Sequence, residues 1–253
     1  MLDQYLQNRA KTRDIMLMTH VVIGYPSFEA SLEIVGSMVE AGVDLMELQI
    51  PFSEPVADGP VILHANQGAL AAGATVERCL RFAEQVTAKF EIPFLFMSYY
   101  NILYQYGVSR FIERCRELRV QGTIVPDLPP EEGRDYLAAA DQNGVSPVFI
   151  FTPNTSQERL NYLGQHARGL VYCVARRGVT GGDTQFSDDL GEYLARCRQA
   201  TRLPLAVGFG VKSKQDVDFL KGKAEIAVIG SQTIRLVDAE GVSAVSGFIR
   251  SLR

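Results

Sequence analysis

The 253-residue chain is 47% hydrophobic and 21% charged, the balance of an ordinary soluble globular protein with enough length for one large core. Its formal net charge of -4 gives no electrostatic reason to expect nucleic acid or an anionic membrane as partner. A local basic pocket for a small phosphate ester stays compatible with that balance.

The first residues, MLDQYLQNRAKTRD, are acidic and polar and lack the continuous apolar segment of a secretion signal. Beyond them, short apolar runs cover 15–23, 43–50, 92–97, 121–126, 145–151, 169–175, 203–209 and 224–230. None approaches the length needed to cross a bilayer. Each is apolar on both faces, which predicts strands of a parallel sheet covered by helices. Between them lie amphipathic stretches such as 27–42, where Leu32, Val35, Met38 and Val39 repeat at helical spacing and Gly42 stops the segment, and 188–200. Eight β-then-α units in about 250 residues predict a closed (β/α)8 barrel, one domain over 1–253, rather than an open doubly wound sheet. The first ten or so residues are then an additional helix covering the barrel floor. Cys79, Cys115, Cys173 and Cys197 are widely spaced without a CxxC pair, and His20, His64 and His166 offer no zinc-ligand spacing. A reduced, cytoplasmic, metal-free protein is expected.

In such a barrel, chemistry sits at the C-terminal ends of the strands and in the loops that follow. The second run leads into MELQIPFSEPVADGP (46–60). Glu47 lies inside an apolar strand, where an unpaired carboxylate is costly to bury. It is either a salt-bridged core residue or a carboxyl group facing the barrel mouth with a tuned pKa. Asp58, beside Gly59, reads on its own as a turn residue. After the sixth run, YCVARRGVTGG (172–182) has the glycines and threonine of a lid that closes over substrate, or of a plain surface loop. Gly208–Gly210 after the seventh run and Gly230–Ser231 after the eighth fall where barrels commonly hold phosphate. Glycines there let backbone N–H groups approach an anion, and a helix starting at Ser231 would add its positive dipole end.

Read whole, the segment E-L-Q-I-P-F-S-E-P-V-A-D-G-P resembles the tryptophan synthase α subunit signature, roughly E-L-G-I-P-F-S-D-P-x-A-D-G-P. The resemblance continues through Gly178–Gly181, FMSYYNILYQYG (96–107) and VPDLPPEE (125–132), and covers essentially the whole chain. It implies retro-aldol cleavage of indole-3-glycerol phosphate to indole and glyceraldehyde 3-phosphate. Carried over from the family, Glu47 is the acid–base carboxyl and Asp58 accepts the indole N–H. Tyr172 lines the pocket, Phe209 packs on the indole plane, and Thr180 belongs to the sixth loop. Main-chain groups of Gly181, Gly210, Gly230 and Ser231 hold the phosphate. The resemblance further implies a β-subunit partner in an α2β2 heterotetramer, with Glu54, Pro55, Asn101 and Asp127 as interface candidates. Asn101 and Asp127 read equally well as turn residues. No cofactor is expected in this chain; pyridoxal phosphate belongs to the β partner.

Several positions depart from the family's usual residues. His20 stands where an aromatic is common and would face the indole pocket, as a substrate contact or as a flat ring filler. Val22 and Tyr25 replace threonine and aspartate, Gln49 replaces glycine, Glu54 replaces aspartate, and Gln232 replaces a small residue. These put pocket shape and inter-subunit regulation in question, and leave open a chain kept mainly as an activator of its partner. A lyase that releases indole without a partner, or another phosphate-ester barrel such as an isomerase, are the further alternatives.

Overall fold

The computed structural model describes residues 2–175, 188–208 and 210–253. Strands β1 (Met16–Val22), β2 (Leu45–Gln49), β3 (Phe94–Met97), β4 (Gly122–Ile124), β5 (Ser146–Val148), β6 (Ile150–Phe151), β7 (Val171–Val174), β8 (Leu205–Gly208) and β9 (Ile226–Ile229) form one parallel sheet. Their order is β5-β4-β3-β2-β1-β9-β8-β7-β6. The two ends of that order, β5 and β6, are consecutive pieces of the fifth apolar run, separated only by Phe149. The first piece pairs with β4 and the second with β7, while the Phe149 carbonyl accepts the Tyr172 N–H at 3.0 Å. One chain segment therefore joins both edges, and the sheet is a nearly closed eight-stave barrel.

The helices alternate with the strands: α1 (Leu2–Ala10), α2 (Phe28–Glu40), α3 (Pro60–Ala71), α4 (Val76–Lys89), α5 (Tyr100–Tyr106), α6 (Val108–Glu117), α7 (Arg134–Asn143), α8 (Gln157–His166), α9 (Asp188–Ala200), α10 (Lys214–Leu220), α11 (Ser231–Glu240) and α12 (Ala244–Ser251). Local chemistry sets their ends. The Ser27 hydroxyl accepts the Ala30 N–H at 3.1 Å and starts α2, and Gly42, at φ +93°, takes the left-handed backbone that turns the chain toward β2. The second, third and last units each carry two helices instead of one, a feature that apolar periodicity does not separate from a single longer stretch.

Side chains alternate across the staves, with Val22 at the end of β1 the exception, although the sequence runs are apolar on both faces. Leu17, Val21, Met46, Leu48, Cys173 and Val207 face the helices in one large cluster. Met16, Met18, Leu45, Leu95, Ile124, Val148, Ala206 and Val228 fill the barrel interior, joined from below by Leu2 and Leu6 of α1. The N-terminal helix thus plugs the floor, as expected. This parity puts His20, Glu47, Gln49, Tyr172 and Gly208 on the interior face, at the C-terminal ends of their strands.

The floor is fastened by Asp44, immediately before β2 and fully buried. Its carboxylate accepts the Leu17 N–H at 2.8 Å and pairs with Arg9 at 2.7 Å and Arg253 at 2.6 Å, with Arg13 at 3.7 Å. The Tyr5 hydroxyl donates to the Asp44 carbonyl at 2.7 Å. Both flanks of the chain are so held to the start of the second stave. Among the described residues no helix is long and apolar enough to cross a membrane.

Candidate active site

Adjacent parallel strands place His20 of β1 directly beside Glu47 of β2. Both side chains are 4% exposed, and His20 Nδ1 lies 3.1 Å from Glu47 Oε1. Burial on its own pushes the His20 imidazole down, but the negative charge of Glu47 and its hydrogen bond, helped by Asp58 and Gln49, hold it above its ordinary value. Glu47 is therefore a buried carboxyl with one oxygen engaged, at the barrel mouth.

Asp58 approaches the same mouth from the loop that follows β2. That loop is pinned at several points. The Asp58 N–H donates to the Pro55 carbonyl at 3.0 Å, and the Ala57 N–H donates to the Tyr99 hydroxyl at 3.1 Å. The Phe52 N–H donates to Asn66 Oδ1 at 2.9 Å, and the Phe52 ring stacks on Tyr99 with centroids 5.1 Å apart. The Asp58 carboxylate itself accepts from Gln49 Nε2 at 2.7 Å. Burial raises its pKa, and the Gln49 hydrogen bond, His20 and Tyr99 only partly oppose that. A charge-assisted bond from Gln49, with the Tyr99 hydroxyl as a further hydrogen-bond partner, holds this carboxylate in place.

Tyr172 of β7 faces both carboxylates. Burial and the charges of Glu47 and Asp58 push its hydroxyl well above the ordinary value, so it stays a neutral donor. Its position depends on Gly208 of the neighbouring strand, because a Cβ there would stand 2.5 Å from the Tyr172 oxygen and 2.8 Å from two ring carbons. Gly208→Ala should therefore displace the ring at a cost of about 1–3 kcal/mol. Thermal unfolding checks this, and an unchanged midpoint would show that the ring moves freely.

Next to these staves, Gly210 follows β8 with φ +113°, and Gly230 follows β9, the neighbour of β1, and precedes α11, which begins at Ser231 as the sequence predicts. Among the described residues no side chain caps that helix start, and uncapped helix N-termini carry N–H groups that suit an anion. Thr180, Gly181 and Phe209 lie outside the described residues. Among the described residues no group of three or more His, Cys, Asp or Glu side chains could hold a metal ion.

The family model described as "Tryptophan synthase alpha chain" matches residues 6–250. The chain belongs to the tryptophan synthase alpha chain family. Tryptophan synthase alpha chains of Desulforapulum autotrophicum and Syntrophotalea carbinolica are 61% identical over 252 residues and 60% identical over 253, each match covering 100% of both chains. The structure of Mycobacterium tuberculosis tryptophan synthase is similar with a TM-score of 0.92 at 29% identity, covering 99% of this chain and 96% of that one. For tryptophan synthase subunit alpha from Legionella pneumophila the values are 0.89 and 30%, with the same coverage. The family's reaction, retro-aldol cleavage of indole-3-glycerol phosphate, makes this chain a lyase of tryptophan biosynthesis on a (β/α)8 barrel.

The departures from the family pattern have visible structural roles. Gln49, where glycine is usual, is the donor to Asp58. The Tyr25 hydroxyl donates to Asp238 of α11 at 2.8 Å, and its ring sits 2.8 Å from where a Cβ on Gly68 of α3 would stand. Val22 packs with Ile62 and Ile234 between β1 and these two helices. Gln232 is half-buried in the first turn of α11, and Glu54 is exposed. The structure also adds Tyr99 and Asn66, which the sequence reading did not single out. For Asn66 the available signal was a polar residue inside the largely apolar stretch that forms α3; for Tyr99 it was only its place in the segment FMSYYNILYQYG. Asp127 lies in the turn after β4, and its two oxygens accept the Tyr100 N–H at the start of α5 at 2.9 and 3.1 Å, whereas Asn101 lies inside α5 and is not a turn residue.

Proposed function

We propose that Glu47 and Asp58 carry the cleavage of indole-3-glycerol phosphate at the mouth of a single barrel domain spanning 1–253. The observation that carries this reading is the presence of two carboxylates with different surroundings at one barrel mouth. Glu47 is buried with one oxygen held, and Asp58 is fixed by a neutral amide. The C–C bond breaks when ring carbon 3 is protonated and the adjacent side-chain hydroxyl loses its proton. Glu47 gives the first proton and, as the resulting carboxylate, takes the second. The bond's electron pair returns to the ring, indole leaves, and the hydroxyl carbon becomes the aldehyde of glyceraldehyde 3-phosphate. Positive charge develops on the ring nitrogen, and the Asp58 carboxylate accepts its N–H. Tyr172 and His20 line the pocket, and Phe209 packs on the indole plane. Main-chain N–H groups of Gly181, Gly210, Gly230 and Ser231 hold the phosphate beneath a loop containing Thr180.

The same reading includes a β subunit in an α2β2 assembly that supplies pyridoxal phosphate, and a cytoplasmic location. Among the described residues the exposed large hydrophobics are Val56 and Tyr104, at 75% and 66%. Val56 lies beside Glu54 and Pro55, and Tyr104 lies one turn along α5 from Asn101. The Tyr99–Ala57 and Asp127–Tyr100 hydrogen bonds tie these segments together. An apolar patch rimmed by polar groups marks a protein interface.

Indole release from indole-3-glycerol phosphate, measured with and without a cognate β subunit, tests both parts. Turnover that rises on adding the partner is expected. Equal turnover in both conditions would sink the partner reading, and none in either would sink the catalytic one.

A further inference from the structure

The family's acid–base carboxyl has an unusual neighbour in this chain. His20 is 4% exposed, sits in register with Glu47, and meets it at 3.1 Å. A contact this close between Nδ1 and a carboxylate oxygen is attractive only if the nitrogen carries hydrogen, since the carboxylate is an acceptor. Among the described residues the other ring nitrogen, Nε2, is buried without a hydrogen-bond partner. A ring serving only to fill space would leave that nitrogen as an uncompensated cost, which phenylalanine would avoid.

We propose that His20 is the positioning residue for Glu47: its Nδ1–H holds one carboxyl oxygen, so that the other oxygen alone faces the substrate and carries both proton transfers. The inference rests on the acid–base role of Glu47. A carboxyl free to rotate would present either oxygen at varying distance from ring carbon 3 and the side-chain hydroxyl. One fixed on its far side presents a single oxygen to both. Proton transfer at near-attack distance is sensitive to displacements of this kind.

The titratable groups facing His20 are Glu47 on β2 and Asp58 in the loop beyond it. Tyr25, from the loop after β1, lines the small cavity beside the imidazole together with Thr233 and Ile234 of α11. Its hydroxyl is committed to Asp238. Gly230, before α11, approaches the His20 Cβ without adding charge. Among the described residues, the two carboxylates are therefore the charges that act on the ring.

Two substitutions separate positioning from filling. Asparagine keeps an N–H donor near the place of Nδ1 but loses the ring, whereas phenylalanine keeps the ring and loses the donor. With the cognate β subunit present, His20→Phe should lower kcat about tenfold or more while KM changes little, and His20→Asn should recover most of the loss. Wild-type kcat in His20→Phe, or equal losses in both variants, would overturn the proposal. A second measurement needs no turnover. The chain has three histidines, so ring NMR signals are assignable, and His20 should titrate at lower pH in Glu47→Gln than in the wild-type chain. An unchanged titration would overturn the pair itself. Absence of wild-type turnover alongside a shifted titration would instead overturn the catalytic reading on which the proposal rests.

Discussion

Replacing Glu47 by glutamine is expected to lower kcat for indole release by at least about 10², the scale of a general acid–base group. The amide keeps the size of the carboxyl but neither gives nor takes a proton near neutrality. Because it still fills the space beside His20, the fold should be retained. The effect should fall on kcat more than on KM, since the lost interaction exists in the transition state. Asp58→Asn is expected to lose at least about 10² as well, through loss of the charge that stabilises the ring nitrogen. Its signature should differ. Burial raises the Asp58 pKa, so wild-type activity should fall on the acid side within a range above that of an exposed aspartate. In Asp58→Asn that acid limb should weaken. Near-wild-type kcat in either variant would remove that residue from the mechanism.

The barrel was legible because eight apolar runs alternate with helical periodicity, and because α/β chains of this length have few ways to bury strands that are apolar on both faces. The second run held three polar positions, Asp44, Glu47 and Gln49, and the division of labour among them, Asp44 at the floor and the other two on the interior face at the mouth, follows from a parity that only the sheet reveals. Asp58 was legible through its motif alone, since an aspartate before glycine reads as a turn. What holds it in place was hidden. Gln49 lies nine residues before it and Tyr99 forty-one residues after, beyond the neighbouring stave β3, and no periodicity links residues that meet only because the loop after β2 folds back over the mouth. His20 shows the same limit, because the Glu47 carboxylate that gives its ring a partner comes from the neighbouring stave. Asp127 reads in the sequence as either a turn or an interface residue, and its carboxylate fastens the start of α5.

The pH dependence of stability should carry the mark of the buried pair. His20 has a folded-state pKa above its unfolded value, so its contribution is fully present below the unfolded value of about 6.5 and is lost as pH rises through the folded value. The stability advantage of the wild-type chain over His20→Phe should accordingly shrink toward alkaline pH.

The largest stability effect is expected far from the chemistry, at Asp44. Its carboxylate is fully buried and takes the Leu17 N–H together with the Arg9 and Arg253 guanidinium groups. Asp44→Ala removes the shared acceptor of a backbone donor and two cations, and a buried network broken on one side costs about 3–5 kcal/mol. The side chains of Arg9 and Arg253 are 35% and 24% exposed, so they regain some hydration, which favours the lower end of that range. Asp44→Asn keeps an oxygen for Leu17 and loses the charge, so about 1.5–3 kcal/mol is expected. For a chain of this size the alanine variant should unfold on the order of 10 °C earlier. Both variants should keep kcat per folded molecule, because Glu47 is held by its ladder to β1 and β3 and by His20, all above the floor. Denaturant unfolding alongside indole release separates the two quantities. A loss below about 1 kcal/mol in Asp44→Ala would mean that the helix plug of Leu2 and Leu6, rather than the ion cluster, closes the floor.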